Sequence, residues 1–148
     1  MENEQQAKRL REIMRLLVRK LGFLERGEAS CCNITLSQCH TIIEVGRTGK
    51  VSLVDLAANL NLDKSTVSRS VDNLVNQGLL VRETDLQDRR FVTLSLTKQG
   101  ESTYQELEKR MADYFQEIID AIPYEKREQV IDSVQCLTEA VHGSNCCS

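Results

Sequence analysis

The sequence predicts a mostly α-helical fold with one small β-hairpin. Three observations predict it. Apolar residues recur at helical spacing over most of the chain, the period shortens to that of strands only between residues 79 and 96, and glycines and a lone proline mark the breaks. The chain has 148 residues, 41% hydrophobic and 28% charged, the size and make-up of one soluble globular domain. No run of about 20 apolar residues could span a bilayer. The N-terminal MENEQQAKRLREIM lacks the apolar core of a signal peptide, so a cytoplasmic protein with no membrane contact is expected.

The stripe Leu10, Ile13, Met14, Leu17, Val18, Leu21 and Leu24 predicts a long first helix over about residues 5–26, with an Arg- and Lys-rich opposite face. Gly27 ends it, and a loop then carries Cys31 and Cys32. Thr35 is the expected N-cap of a second helix, Leu36 to about Val45, stopped by Gly46 and Gly49. Ser52 caps a third, with Leu53, Leu56, Ala57 and Leu60 inward. Asp63 caps a fourth that runs to Gln77, with Gly78 as its stop. Val67, Val71, Leu74 and Val75 form its buried stripe. At about 100° per residue, Ser65, Arg69, Asp72, Asn73 and Asn76 fall on the far side, flanked by Thr66 and Ser68.

Leu79–Glu83 and Phe91–Leu96 read as two strands around a polar tip, Thr84 to Arg90. Thr97 caps a long fifth helix whose stripe is Tyr104, Leu107, Met111, Tyr114, Phe115, Ile118, Ile119 and Ile122. Pro123 opens a last helix that presents Val130, Ile131, Val134, Leu137 and Val141, and Gly143 ends it. The tail 143–148 is expected to be mobile.

Three short helices followed by a hairpin form a winged helix-turn-helix, here about residues 35–97. The expected fold class is therefore mostly α with a small β-wing, one domain over 1–148, with long dimerisation helices at about 5–26 and 98–142. An outward face of hydroxyls and an Arg suits a DNA major groove, and a basic hairpin tip suits an adjacent minor groove or phosphate. The apolar stripes of the flanking helices exceed what the small DNA-binding unit can cover, so a homodimer on a palindromic operator is expected. The net charge of −3 does not oppose this, because its distribution is uneven. Residues 1–28 carry seven bases and five acids, 60–100 six and five, and 101–148 four and ten, so a polyanion meets the first two thirds.

At this point the chain resembles the multiple-antibiotic-resistance regulator (MarR) family across nearly its whole length. The resemblance is carried by Ser52–Leu60, Lys64–Arg69 and Leu74–Leu80. It is most specific in Glu83-Thr84-Asp85-Leu86-Gln87-Asp88-Arg89-Arg90 and the continuation Leu94–Gly100. It implies a dimeric winged-helix regulator of double-stranded DNA. The DNA-binding set it implies, taken with the outward face, is Lys64, Ser65, Thr66, Ser68, Arg69 and Asn73, with Gln87, Arg89 and Arg90 on the wing. Gln87 stands where family wings often carry an Arg, which leaves Arg89 as the expected minor-groove residue. Asp85 and Asp88 are expected to brace the wing arginines by charge-assisted hydrogen bonds.

Six cysteines without a signal peptide are not a disulfide framework. Cys31, Cys32 and Cys39, with His40 beside them, form one cluster, and Cys146 and Cys147 another; Cys136 reads as packing. In the zinc-sensing branch of the family, ligands fall at Cys39 and His40, but that branch also needs histidines early in the fifth helix, and this chain has none there. A thiol-rich site suits soft ions such as As(III) or Sb(III) as an effector, with no cofactor required for the fold. Thiol oxidation, or structural cysteines beside an organic effector, are the other readings.

An enzyme is not expected. Two histidines, no Gly-rich phosphate loop and no nucleophile–base spacing give little to build a catalytic site from. A winged-helix protein-interaction module shares the fold, and the Arg-bearing outer face separates it from a DNA binder.

Overall fold

Local capping chemistry sets where the central helices start. The computed structural model describes residues 1–21 and 34–141. Its elements in order are α1 (Glu2–Lys20), α2 (Leu36–Thr48), β1 (Lys50–Ser52), α3 (Leu53–Leu60), α4 (Lys64–Asn76), β2 (Leu80–Thr84), β3 (Val92–Leu96), α5 (Lys98–Asp120), a 3-10 turn (Tyr124–Lys126) and α6 (Arg127–Ala140). Thr35, Ser52 and Asp63 each accept a hydrogen bond from the backbone N–H three residues on, which satisfies one of the orphan donors of a helix start. At Thr35 the bond is reciprocal. Gln38 returns its side-chain oxygen to the Thr35 N–H at 3.0 Å, closing a capping box.

One glycine acts differently from the sequence expectation. Gly46 does not stop α2 but lies inside it, and Gly49, with φ 82°, is the cap. The reason is tertiary. The Tyr104 ring sits so close to Gly46 that a Cβ there would lie 2.5 Å from it. Glycine is needed at residue 46 for that approach, and not to end the helix.

The sheet is also larger than expected. A third strand, β1, pairs antiparallel with β3, so the order is β1-β3-β2. Its register sets Val51 opposite Leu94, both buried. Three residues are too few to show a strand period in sequence. The hairpin register runs from Leu80↔Leu96 to Thr84↔Val92. Phe91 is not in the strand: its N–H donates to the Asp88 carbonyl, and its ring is exposed.

The core gathers one face from each central helix and from the sheet: Ile42 and Val45 of α2, Leu56 of α3, Val67, Val71 and Leu74 of α4, and Leu94 of β3. Each such side chain contributes about 1.5–3 kcal/mol by leaving water. Leu107 is the last buried residue; past it, no described residue is buried. The chain divides into two compact units, residues 1–107 and 108–148. The loop with Cys31 and Cys32, the end of the first apolar stripe at Leu24, and the tail with Cys146 and Cys147 lie outside the described residues. No helix among the described residues is long and apolar enough to cross a membrane.

Packing at Gly46 gives a direct stability test. Gly46→Val should destabilise the chain by about 1–3 kcal/mol through overpacking against Tyr104. In denaturant titrations, pairing it with Tyr104→Ala should cost less than the sum of the two single changes.

Candidate nucleic-acid interface

The orientation of α4 is fixed by its buried face. Val67, Val71 and Leu74 are fully buried, so Lys64, Ser65, Arg69, Asp72, Asn73 and Asn76 are exposed, with Thr66 and Ser68 half-buried at the flanks. Ser70, which the sequence reading did not single out, is buried on the core side, and its hydroxyl pairs with that of Ser37 on α2 at 2.8 Å. The tight link from α3 to α4 passes through Asn61 in the left-handed region, φ 52°, a conformation that Asn tolerates better than most residues.

At the start of α4 a small network surrounds Asp63. Its carboxylate accepts the Ser65 hydroxyl at 2.7 Å, the Thr66 hydroxyl at 2.5 Å and the Thr66 N–H at 3.0 Å. The Thr66 hydroxyl, then the Ser65 hydroxyl, then the Thr66 N–H hold this carboxyl well below the usual carboxylate range.

The wing is ordered by its two aspartates, each in its own way. Asp88 grips Arg90, accepting from Nε at 3.0 Å and from an Nη at 2.8 Å. The Arg90 side chain, then its N–H, lower the Asp88 pKa, and the same pair raises that of Arg90. Asp85, expected to brace an arginine, instead accepts the backbone N–H groups of Gln87 at 2.8 Å and Asp88 at 3.4 Å. It shapes the turn because its side chain reaches the amides two and three residues on more readily than a guanidinium. Leu86 stands at the apex, 99% exposed, beside exposed Gln87 and Arg89.

One link was missed by the sequence reading. Arg82 of β2 forms an ion pair with Asp72 of α4, joining the wing stem to the helix. The two residues are ten apart in sequence and on different elements, so no local pattern reveals the pair. Lys50 and Glu83 form a further ion pair, between β1 and β2, at 3.4 Å. Lys64, Arg69 and Arg89 have no ion-pair partner among the described residues.

The thiols divide. Cys39 is 4% exposed and belongs to the core, whereas His40, the next residue along the helix, is exposed. The described structure therefore does not turn these two toward one site. Among the described residues no three His, Cys, Asp or Glu side chains gather as a metal site. Cys31, Cys32, Cys146 and Cys147 fall outside those residues. Cys136, read as packing, is exposed on α6, which has no buried residue.

The pH dependence of the wing follows from Asp88. Its folded pKa is depressed, so the Asp88–Arg90 bond is present at neutral pH and is lost as pH falls through that lowered value. In carboxyl-carbon NMR, Asp88 should titrate below an ordinary Asp, and Arg90→Ala should return it toward the ordinary value.

Comparison with known proteins places this geometry. A sequence model of the MarR family matches residues 33–90, the segment from the start of α2 through the wing. The HTH-type transcriptional regulator BilQ of Clostridium symbiosum is 25% identical over 76% of this chain and 78% of its own. Among solved structures, Streptococcus pneumoniae FabT in complex with DNA superposes with a TM-score of 0.80 at 24% identity, covering 90% of this chain and 95% of that one. A mutant of Escherichia coli MarR complexed with operator DNA gives 0.75 at 20% identity, covering 89% and 95%. At these identities the structural likeness speaks for the fold. Helix order, wing sequence and family match agree: residues 33–90 are similar to the MarR family, and the fold is that of winged-helix proteins.

Proposed function

We propose that the chain is a homodimeric DNA-binding transcription regulator, a repressor of a palindromic operator. The observation that carries the reading is the outer face of α4. Ser65, Arg69 and Asn73 point away from a fully buried Val67–Val71–Leu74 stripe and share their unit with a wing that presents Gln87 and Arg89. In this reading Arg69 meets a base edge in the major groove, Lys64 a phosphate, and Arg89 the neighbouring minor groove. FabT and MarR, similar in fold, were both solved with DNA. The family's named relatives are transcription regulators, not enzymes.

The homodimer is supported by apolar surface that one chain leaves open. Ile13 of α1 is 52% exposed and Val134 of α6 is 52% exposed, in stripes with Leu10, Leu17, Val18, Val130 and Ile131. Phe115, Ile118, Ile122, Val130 and Val134 line a groove of about 560 Å³ between α5 and α6. A second copy would bury these stripes and set two recognition helices about one DNA turn apart.

For the effector, the reading is a thiophilic ion, As(III) or Sb(III), taken by Cys31, Cys32 and Cys39, with His40, Cys146 and Cys147 as further candidates. What supports it is placement. Cys39 lies in the first turns of α2, close in sequence to Cys31 and Cys32, and Ser37 of the same helix bonds Ser70 of α4. A ligand that draws Cys39 from the core would disturb the helix on which α4 rests.

Gel-shift and sedimentation measurements test each part. Arg69→Ala should weaken binding to the selected operator by about 1–3 kcal/mol and leave the dimer intact; unchanged affinity removes the docking scheme. Val134→Asp should yield monomers at micromolar concentration. Arsenite should release the wild-type chain from DNA, and Ser at Cys31, Cys32 or Cys39 should abolish release but not binding. Release by peroxide alone would assign the thiols to oxidation sensing.

A further inference from the structure

The hydroxyls at the start of α4 have a fixed hydrogen-bond polarity. A hydroxyl owns one proton, and an ionised carboxylate can only accept. Ser65 Oγ and Thr66 Oγ1 both lie within hydrogen-bond distance of the Asp63 carboxylate, on different oxygens, so each hydroxyl donates its single proton there. The remaining Asp63 contact is the Thr66 N–H, also a donor to it. What Ser65, exposed, and Thr66, half-buried, offer outward is lone pairs only.

In the major groove, most polar atoms are acceptors: guanine N7 and O6, adenine N7 and thymine O4. The donors are adenine N6 and cytosine N4. Phosphate oxygens accept as well, and the Asp63 charge repels them. Groups that accept would meet lone pairs at this turn, whereas an exocyclic amino group would meet the partner it lacks. Arg69, on the same face, has the opposite polarity and suits guanine.

We propose that Asp63, Ser65 and Thr66 form an acceptor-only patch that selects an exocyclic amino group, adenine N6 or cytosine N4, at one position of each half-site. The inference rests on the DNA-binding reading above and adds the chemistry of one contact to it. Asp63→Asn is the informative variant. Asn caps helices as well as Asp does, and its carbonyl can still accept the Thr66 N–H. Its amide, however, donates toward a hydroxyl and frees that hydroxyl's proton to point outward.

The test begins with selection of duplexes from a randomised pool by the full-length wild-type chain. Binding is then measured on the selected duplex with purine in place of adenine, or 2-pyrimidinone in place of cytosine, one position at a time. One analogue position per half-site should lower wild-type affinity about tenfold, and which analogue acts identifies the amino group. Ser65→Ala, checked for helix content by circular dichroism, should lose that sensitivity. Asp63→Asn should select guanine or thymine at the same position. The inference is overturned if no amino deletion affects the wild type, or if both variants keep its base choice and sensitivity. Selection of no sequence by the wild type would overturn the DNA-binding reading itself, and this inference with it. In that selected duplex, Arg69→Ala should stay sensitive to the amino deletion while losing affinity, which separates the two contacts.

Discussion

The burial of one face of α4 is the constraint on which the rest of the structure depends. Val67, Val71 and Leu74 are each closed off from water by α2, α3 and the sheet. Rotation of the helix by one residue position would turn the valines toward water and bring Thr66 or Ser68 into the core in their place, a cost of several kcal/mol. The polar face therefore has a single direction, set by packing on the other side. The hydroxyl pair Ser37–Ser70 adds a polar pin at the edge of the same contact, and it keeps a buried Ser70 from standing unsatisfied.

The wing depends on the same helix. Arg82 reaches from β2 to Asp72 on the outer side of α4, while β3 carries Leu94 into the core. Surface ion pairs of this kind contribute little to stability. Their value here is geometric: the base of the hairpin is tied to the helix whose groove contacts it would accompany. Further out, the tip is held by Asp85 on backbone amides and Asp88 on Arg90, so its shape is set before any partner arrives. Preordering of this sort lowers the entropy lost on binding.

What the sequence revealed, and what it hid, divides along locality. Thr35, Ser52 and Asp63 were legible as caps because a cap spans four residues and its partner is the chain itself. The buried and exposed faces of α4 were legible because helical period fixes both at once. The junction into α5 was legible as a motif, and the structure supplies its reason: the Thr97 hydroxyl donates to the Gly78 carbonyl, and Gly100 packs where a Cβ would overlap the Leu79 carbonyl. Gly46 misled, because its partner Tyr104 is 58 residues away and the local rule for glycine is to end helices. β1 was too short to carry a pattern, and Asp72–Arg82 depended on two elements meeting. Cys39 and His40, adjacent in sequence, looked like one site, but successive helical residues are about 100° apart and only one of them turned inward.

Charge counting along residues 60–100 gives six bases against five acids, but the way these charges pair leaves some cations open. Every one of the five acids is engaged. Asp63 holds two hydroxyls, Asp72 holds Arg82, Glu83 holds Lys50, Asp85 holds backbone amides and Asp88 holds Arg90. Of the six bases in residues 60–100, Lys64, Arg69, Arg89 and Lys98 have no ion partner among the described residues, while Asp63 and Asp85 keep their charge. An acidic chain can thus present unpaired cations from one region while its net charge stays negative. In the proposed DNA-binding reading, base contacts would carry weight beside the phosphate contacts. In that reading the polarity of each side chain on α4, donor at Arg69 and acceptor at Ser65, would matter beside the number of positive charges around it.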